Sequence, residues 1–194
     1  MTWSILARDE NGHFGVAIAS RFFAVGSLCV HTRRGLGAVS TQALMNPLYG
    51  QAAPNLLEQG QSPSAVLAAL TAGDEGREQR QVHVLPSQGM AAGFTGAQCV
   101  DWCGHLAREG LSVAGNMLAG PRVIEATADL VELREPFDLR HDDGVDARDD
   151  RAEVVGGLMR IAEKLYKRNP REWRKVGLAS REAALEQLRM RHTR

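Results

Sequence analysis

Along the first two thirds of the chain, hydrophobic positions recur with the two-residue period of strands in some segments and with the 3.6-residue period of helices in others. The chain opens with strand segments. Residues 3–8 and 14–20 are apolar, β-prone runs on either side of an Asn-Gly pair, which supplies the positive φ angles of a tight hairpin turn. A second strand pair is predicted over residues 28–32 and 37–41, with no helix before it. Because four strands come first, the pattern does not open with a βαβ unit.

Helices and further strands follow this opening. Helical periodicity appears at residues 51–59, and a second helix begins at Pro63, where Ser62 is a suitable N-cap, and ends before Gly73. The remaining predicted elements are strands at 80–85, 90–94, 99–107 and 111–114, and a helix at 121–129. Strands in two groups, with helices between and after them, predict an α+β fold.

The last part of the chain differs in charge from the rest. Residues 138–150 are rich in aspartate and are predicted to form a loop, while 152–168 and 181–190 have helical spacing. Residues 160–194 carry eleven Lys/Arg against four Asp/Glu. We therefore expect an α+β domain over residues 1–150 and a helical, basic C-terminal extension over residues 151–194.

Composition excludes several classes of protein. Apolar residues make up 44% of the 194 positions, and the 23 basic side chains balance the 23 acidic ones. This balance favours neither nucleic acid nor a membrane surface as partner, and no apolar run reaches the roughly 20 residues that span a bilayer. Three cysteines without a secreted spacing fit a reducing compartment. The sequence predicts a cytoplasmic protein.

The N-terminal residues offer a candidate nucleophile. Methionine aminopeptidase removes Met1 readily when residue 2 is small, so the mature chain is expected to begin at Thr2. An N-terminal threonine carries a hydroxyl nucleophile and, in its own α-amine, a base with a pKa of about 7.7–8.0. The alternative is equally simple, because many proteins lose Met1 without any catalytic consequence.

Ordered motifs add a family resemblance. They are Thr2-Trp3-Ser4-Ile5-Leu6-Ala7-Arg8-Asp9, Gly15 to Gly26, Gly35 to Ala43, Asn46-Pro47-Leu48-Tyr49-Gly50, Arg80-Gln81, Thr95-Gly96, Cys99 with Trp102, and Gly115 to Gly120. Together they resemble domain of unknown function 1028 (DUF1028), a family grouped with the N-terminal-nucleophile (Ntn) hydrolases. The resemblance implies a four-layer αββα sandwich with residue 2 as the nucleophile at a sheet edge. Between residues 129 and 137 the chain is shorter than the family pattern, which implies that one outer helix is missing.

The candidate site follows from that resemblance and from residue chemistry. Thr2 is the catalytic candidate, and Gly115 and Asn116 are candidates for the donors that stabilise an oxyanion. The candidate substrate-binding residues are Arg21, Thr41, Gln42, Asn46, Arg80 and Thr95. Arg21 suits a carboxylate, which arginine binds in bidentate fashion. Each of these residues has a plain structural alternative as a turn, cap or surface residue.

No metal or cofactor is predicted. Cys99, Asp101, Cys103 and His105 alternate and would share one face of a strand. At about 3.3 Å per residue, the first and last would lie roughly 20 Å apart, too far to share one zinc ion. The sequence has neither a complete dinucleotide fingerprint nor a phosphate-binding Gly-Lys-Ser/Thr loop.

Two functional hypotheses stay open. The first is an Ntn-type amidohydrolase that cleaves a small amide or peptide-like substrate, with cell-wall fragments as one class, because some relatives carry a peptidoglycan-binding module. The second is a non-catalytic αββα protein used for ligand binding or assembly. For either, we expect a homo-oligomer that binds neither nucleic acid nor membrane.

Overall fold

The computed structural model describes residues 1–22 and 25–132, which form eight strands and four α-helices. The strands are β1 (Thr2–Arg8), β2 (Phe14–Ser20), β3 (Val30–Arg33), β4 (Gly37–Ala43), β5 (Arg80–Pro86), β6 (Ala92–Thr95), β7 (Gly104–Arg108) and β8 (Leu111–Asn116). The helices are α1 (Val25–Cys29), α2 (Pro47–Glu58), α3 (Pro63–Ala72) and α4 (Arg122–Glu132), with a 3₁₀ turn at Arg77–Gln79.

The strands form two antiparallel sheets of four strands each. The first sheet has the order β2-β1-β8-β7 and the second the order β3-β4-β5-β6. The predicted mixture of helices and antiparallel strands is thereby confirmed. The turn between β1 and β2 is made as expected, with Gly12 at φ 80° and its N–H donating to the carbonyl of Asp9.

Register places the start of β1 at a common end of both sheets. Thr2 pairs with Ser20 of β2 on one side and with Asn116 of β8 on the other. Hydrogen bonds between the facing sheets, such as the one from Ser4 Oγ to Gln42 Oε1, show that β4 ends where β1 begins. We call this the Thr2 end of the molecule.

Helices cover the outer face of each sheet. Helix α4 packs through Ile124 and Ala128 on Trp3 and Ile5 of β1, whereas α2 and α3 pack on the odd-numbered residues of β4 and the even-numbered residues of β5. Burying each large apolar side chain contributes about 1.5–3 kcal/mol. These two outer cores fix which face of each strand points inward.

The space between the sheets has two parts of different chemistry. Away from the Thr2 end lies an apolar half, which comprises Leu6, Ala38, Leu85 and Ala91. Towards the Thr2 end lies a polar half, whose buried members are Ser4, Ser40, Gln42, Gln81, His83, Ser112 and Asn116. Alternation along each strand places all of these side chains on the inward face.

Several predicted element boundaries were wrong. A short helix, α1, precedes β3, so the chain does not place four strands before its first helix. Helix α2 begins at Pro47 rather than at residue 51, because the Asn46 side chain accepts from the Leu48 N–H as its N-cap. Strand β7 begins only at Gly104, so residues 99–103 do not form the predicted strand. Helix α4 continues to Glu132.

The predicted C-terminal helices at 152–168 and 181–190 lie outside the described residues, as does most of the 130–150 stretch. Among the helices that the structure does describe, none combines the length and hydropathy that crossing a bilayer requires.

Candidate active site

Thr2 lies at the first position of β1, a central strand of its sheet. Its Oγ1 is 3.1 Å from Ser20 Oγ. Ser20 Oγ donates to the Met1 carbonyl at 3.1 Å and accepts from the Phe22 N–H at 3.1 Å. Since the single Ser20 proton is directed to Met1, the Thr2 hydroxyl must donate to Ser20. The carbonyl of residue 1 therefore fixes the proton order of this hydroxyl pair.

The Met1 α-amine lies beside the residue that follows β8, whereas Ser20 lies on the β2 side of Thr2. It donates to Met117 Sδ at 3.2 Å. Partial burial, and then the positive charge of Arg21, lower the pKa of this amine. The predicted carboxylate-binding residue Arg21 is thus close enough to act electrostatically on the chain's N-terminal group.

Asn116 is held directly beside Thr2. It ends β8 opposite Thr2 in the strand register, is 4% exposed, and donates through Nδ2 to Gln81 Oε1 at 3.1 Å. Gly115 lies one residue earlier, within the ladder between β1 and β7. A Cβ there would collide with Leu118 and lie 3.1 Å from the Thr2 carbonyl oxygen, so glycine permits the close approach.

Gln81 is the centre of the buried polar half. Its Nε2 lies 2.9 Å from the Gly115 carbonyl and 3.0 Å from the Gly104 carbonyl, and it also reaches Thr95 Oγ1 at 3.0 Å. Backbone carbonyls only accept, so the NH₂ group must face them. Gln81 Oε1 consequently faces Asn116 and Gln42, whose Nε2 donates to it at 2.6 Å.

This orientation fixes the direction of a hydrogen-bond chain across the sheets. With its NH₂ used on Gln81, Gln42 presents Oε1 to Ser4 Oγ, which donates to it at 2.7 Å. Ser4 must therefore accept from His83 Nε2 at 2.8 Å. In a neutral imidazole the remaining ring nitrogen, Nδ1, accepts from Ser112 Oγ at 2.8 Å, which is shorter than the 3.4 Å from that hydroxyl to the Leu106 carbonyl. The direction of donation is Ser112 to His83 to Ser4 to Gln42 to Gln81.

The surroundings of His83 favour the neutral imidazole on which this direction depends. His83 is completely buried, and desolvation, with a smaller contribution from His105, lowers its pKa to about 3. Both Ser4 and His83 have no exposed surface. The contact between Ser4 and His83 is therefore inaccessible to solvent and forms part of the protein interior.

Thr95 and His105 extend the network towards the edge of the second sheet. Thr95 Oγ1 is 2.9 Å from His105 Nδ1. Desolvation also lowers the pKa of His105. Of the predicted substrate-binding residues, Gln42 and Thr95 thus belong to the Gln81 network.

Three other predicted residues gather elsewhere, around Asp74. Arg80 Nε lies 2.8 Å from Asp74 Oδ2, and Asn46 Nδ2 and the Tyr49 hydroxyl donate to the same oxygen at 3.2 and 2.7 Å. The hydrogen bond from Arg80, followed by that from Tyr49, holds the pKa of Asp74 well below its usual range. Thr41 faces the helical side of its sheet and accepts from the Asn46 N–H at 3.2 Å. This cluster joins the loops that flank α2 and α3, on the helical face of the second sheet rather than between the sheets.

Sequence reasoning missed the inward-facing polar residues Ser4, Gln81, His83 and Ser112. Their signal was present but ambiguous. Gln81 and His83 alternate with Val82 and Val84, a pattern that equally suits a strand with one face in solvent. Only the facing sheet buries them.

Burial favours the protonated thiol form of all three cysteines. Burial raises the pKa of Cys29 to about 11, and it also raises the pKa of Cys99 and Cys103. In residues 1–22 and 25–132 no three His, Cys, Asp or Glu side chains converge as a metal site would require. The alternating set from Cys99 to His105 does not share a strand face, because only His105 lies in β7.

Comparison with known proteins places the chain in a family. The model of a family of unknown function, DUF1028, matches residues 2–141, which is well over half of the chain. The chain belongs to the DUF1028 family. A crystal structure of a DUF1028 protein from Silicibacter pomeroyi has a TM-score of 0.71 and 24% identity, and the match covers 84% of this chain and 68% of that one. At this identity the likeness shows the fold alone. A comparison with curated proteins gave no match.

Proposed function

We propose that this DUF1028 protein is an Ntn-type amidohydrolase in which removal of Met1 exposes Thr2 as the nucleophile. The observation that carries the proposal is the placement of Thr2, which begins a central strand between Ser20 and Asn116 at an end shared by both sheets. We further propose that the helix–sheet–sheet–helix order is of the Ntn type, as the resemblance implies.

Loss of Met1 would rearrange the protons of the hydroxyl pair. The Ser20 hydroxyl donates to the Met1 carbonyl, so its proton would become available once that carbonyl is gone. Ser20 could then donate to Thr2 Oγ1 instead of accepting from it. The Thr2 hydroxyl proton would be free to pass to the new α-amine, as nucleophilic attack requires.

The surroundings also favour a neutral amine. Burial and the charge of Arg21 already lower the pKa of the Met1 amine at this strand end. An α-amine on Thr2 would lie in the same field, and a base titrating near neutral pH is well matched to its task. Arg21 would in addition attract a carboxylate on the amine side of the substrate.

Asn116 is suited to the developing oxyanion. Gln81 takes one of the two amide protons of Asn116, which fixes the side chain and leaves the second N–H for a substrate oxygen. A donor positioned before the reaction stabilises a tetrahedral intermediate without reorganisation. We assign Gln81 the role of positioning residue for Asn116.

The proposed reaction balances as a two-step acyl transfer. Thr2 Oγ1 attacks the amide carbon while its proton moves to the α-amine, and the resulting ammonium protonates the leaving nitrogen as the C–N bond breaks. Water then attacks the ester and passes a proton to the α-amine, and the resulting ammonium returns that proton to Thr2 Oγ1 as the ester bond breaks and the carboxylic acid leaves. Small amide or peptide-like compounds, including cell-wall fragments, are the proposed substrates.

The test compares the parent with Thr2→Ala and the matched surface control Thr32→Ala. Intact mass first establishes which residue begins the protein. A β-lactone probe and an amide library are then followed by mass spectrometry. We expect Thr2 at the terminus, a single acylation on it, and a loss of turnover of about a thousandfold or more in Thr2→Ala only.

Two outcomes would refute the proposal. One is retained or acetylated Met1 in protein from its own host, since the amine of Thr2 would then be blocked. The other is equal turnover by Thr2→Ala and the parent. Either would favour a non-catalytic binding or assembly protein.

A further inference from the structure

The buried polar half reaches solvent at its edge, between β6 of one sheet and β7 of the other. Thr95 of β6 lies opposite Gln81 in the strand register and is half-buried, whereas His105 of β7 is exposed. The His105 ring crosses to the other sheet, because a Cβ at Gly93 of β6 would lie only 2.4 Å from its Cδ2. Glycine at this position thus admits the imidazole between the two sheet edges.

Acceptors on three strands hold the amide group of Gln81. Its Nε2 contacts the Gly115 carbonyl of β8, the Gly104 carbonyl of β7 and the Thr95 hydroxyl of β6, at 2.9, 3.0 and 3.0 Å. The two carbonyls belong to the facing sheet, while Thr95 belongs to the same sheet as Gln81. Because an NH₂ group has two protons for these three acceptors, one N–H is shared. Thr95 takes part only when its lone pair, and not its proton, faces Gln81.

His105 sets the direction of the Thr95 hydroxyl. Thr95 Oγ1 lies 2.9 Å from His105 Nδ1, and the Gln81 NH₂ group on its other side cannot accept a proton. A neutral imidazole with its proton on Nε2 accepts the Thr95 proton and leaves the oxygen lone pair for Gln81. Partial desolvation between the sheet edges lowers the pKa of His105 and so favours this neutral form. The direction of donation then continues from Gln81 through Thr95 to His105.

We propose that Thr95 and His105 are positioning residues for Asn116. They act through the amide group of Gln81, whose Oε1 accepts from Asn116 Nδ2, so that rotation of this amide moves the acceptor that holds Asn116. A donor for a developing oxyanion has to be fixed before the reaction. The inference rests on the proposed function in assigning the oxyanion to Asn116, whereas the connection from His105 to Asn116 is measurable without catalysis.

Side-chain amide NMR of the full-length protein measures the connection. The Asn116 amide is assigned by triple-resonance experiments, and its chemical shift and hydrogen exchange rate are compared among variants. Thr95→Val keeps the β-branched shape and removes the hydroxyl. We expect it to shift the Asn116 resonance and to raise the exchange rate about threefold or more. Thr95→Ser should retain the parent values, as should Thr32→Val, at an exposed threonine on the opposite edge strand of the same sheet.

Variants of His105 test whether it acts through Thr95. His105→Phe keeps a ring but removes the acceptor, and it should change the Asn116 resonance as Thr95→Val does. His105→Asn offers a side-chain oxygen near the position of Nδ1 and should restore the parent resonance. The double variant with Thr95→Val and His105→Phe should show no larger effect than Thr95→Val alone, because the two residues act in series. Additive effects would overturn the proposal.

The β-lactone probe separates this inference from the proposed function. Thr95→Val should slow acylation of Thr2 about three- to tenfold, because the oxyanion donor is less well fixed. An unchanged Asn116 amide in both Thr95→Val and His105→Phe would overturn the positioning roles and leave the hydrolase intact. A changed amide in a protein whose parent is never acylated would support the positioning roles and count against the hydrolase. If Thr95→Val does not fold, as judged by circular dichroism, the comparison of His105→Phe with His105→Asn decides the question.

Discussion

The polar and apolar halves of the inter-sheet space are built by the same strands, yet they contribute differently to the stability of the fold. On β4 the inward face passes from Ala38 to Gln42, and on β5 it passes from Leu85 to Gln81. The apolar half stabilises the fold by burial, at about 25 cal/mol per Å². Each hydrogen bond of the polar half contributes a net of only about 1 kcal/mol.

This difference teaches that stability alone does not explain the polar half. Replacing both partners of each hydrogen bond by apolar groups of the same shape would leave stability nearly unchanged or raise it. The polar half instead orients a fixed series of donors and acceptors that ends at Gln81, whose Oε1 also accepts from Asn116 beside Thr2. We infer that the sheets are joined by the apolar half and that the polar half arranges the candidate active site.

The largest expected effect tests the apolar half. Leu85→Ala removes a fully buried side chain from the cluster with Leu6 and Ala38. We expect the free energy of unfolding to fall by about 3 kcal/mol, because transfer and cavity costs add. Urea denaturation at pH 7 measures the change, with exposed Leu44→Ala as the control. A loss under about 1 kcal/mol would show that this half does not hold the sheets together.

A smaller loss is expected when the polar chain is cut. Ser4→Ala leaves Gln42 Oε1 and the His83 Nε2–H without their buried partner. The cost should be about 2 kcal/mol, in the range for an unsatisfied buried polar group. The same urea titration measures it. Stability equal to that of the parent would mean that a water molecule replaces the hydroxyl as the hydrogen-bond partner of Gln42 and His83.

The pH dependence of stability probes the centre of the chain. His83 in the unfolded protein takes up a proton near pH 6.5, whereas folding lowers its pKa to about 3. The unfolded state therefore binds more protons between these values, and stability falls as pH falls through that window. We expect a loss of about 1 kcal/mol between pH 6.5 and 5.5.

His83→Gln should remove this part of the slope, whereas His13→Gln, at an exposed histidine, should not. An unchanged slope in His83→Gln would mean that His83 does not stay neutral in the fold.

The smallest effect is expected at a serine of the same layer that lacks a partner. Ser40 is fully buried, and its Oγ has no hydrogen-bond partner within the part of the chain that the structure describes. Ser40→Ala should change the free energy of unfolding by less than about 0.5 kcal/mol or raise it, because no bond is lost. A loss as large as that of Ser4→Ala would remove the distinction between the two serines.

Local sequence signals predicted much of the fold. The hairpin of β1 and β2 followed from apolar runs around Asn-Gly, and α3 followed from Ser62, whose Oγ accepts from the Ala65 N–H as an N-cap. Helix α1 was missed because it has only five residues, including Gly26 and the β-branched Val25, and its sequence has low helix propensity. It contacts β2 and β4, so packing rather than propensity accounts for it.

Part of the spatial arrangement of the candidate site was predicted. Thr2, proposed as nucleophile, and Asn116, proposed from its chemistry as an oxyanion donor, lie opposite one another in the strand register, and both roles stay predictions. Arg80, Asn46 and Thr41 lie instead on the helical side of the second sheet, around Asp74. Nothing in the local sequence tells which face of β4 or β5 the helices cover and which face the other sheet covers.

The sequence by itself determined the turns, the helix caps and the alternation of side chains along each strand, because these depend on neighbours within a few residues. Only the tertiary structure decided which alternating face is covered by helices and which by the other sheet. That choice buries Gln81 and His83 and sets Asn116 beside Thr2, because contacts between residues far apart in the chain determine burial.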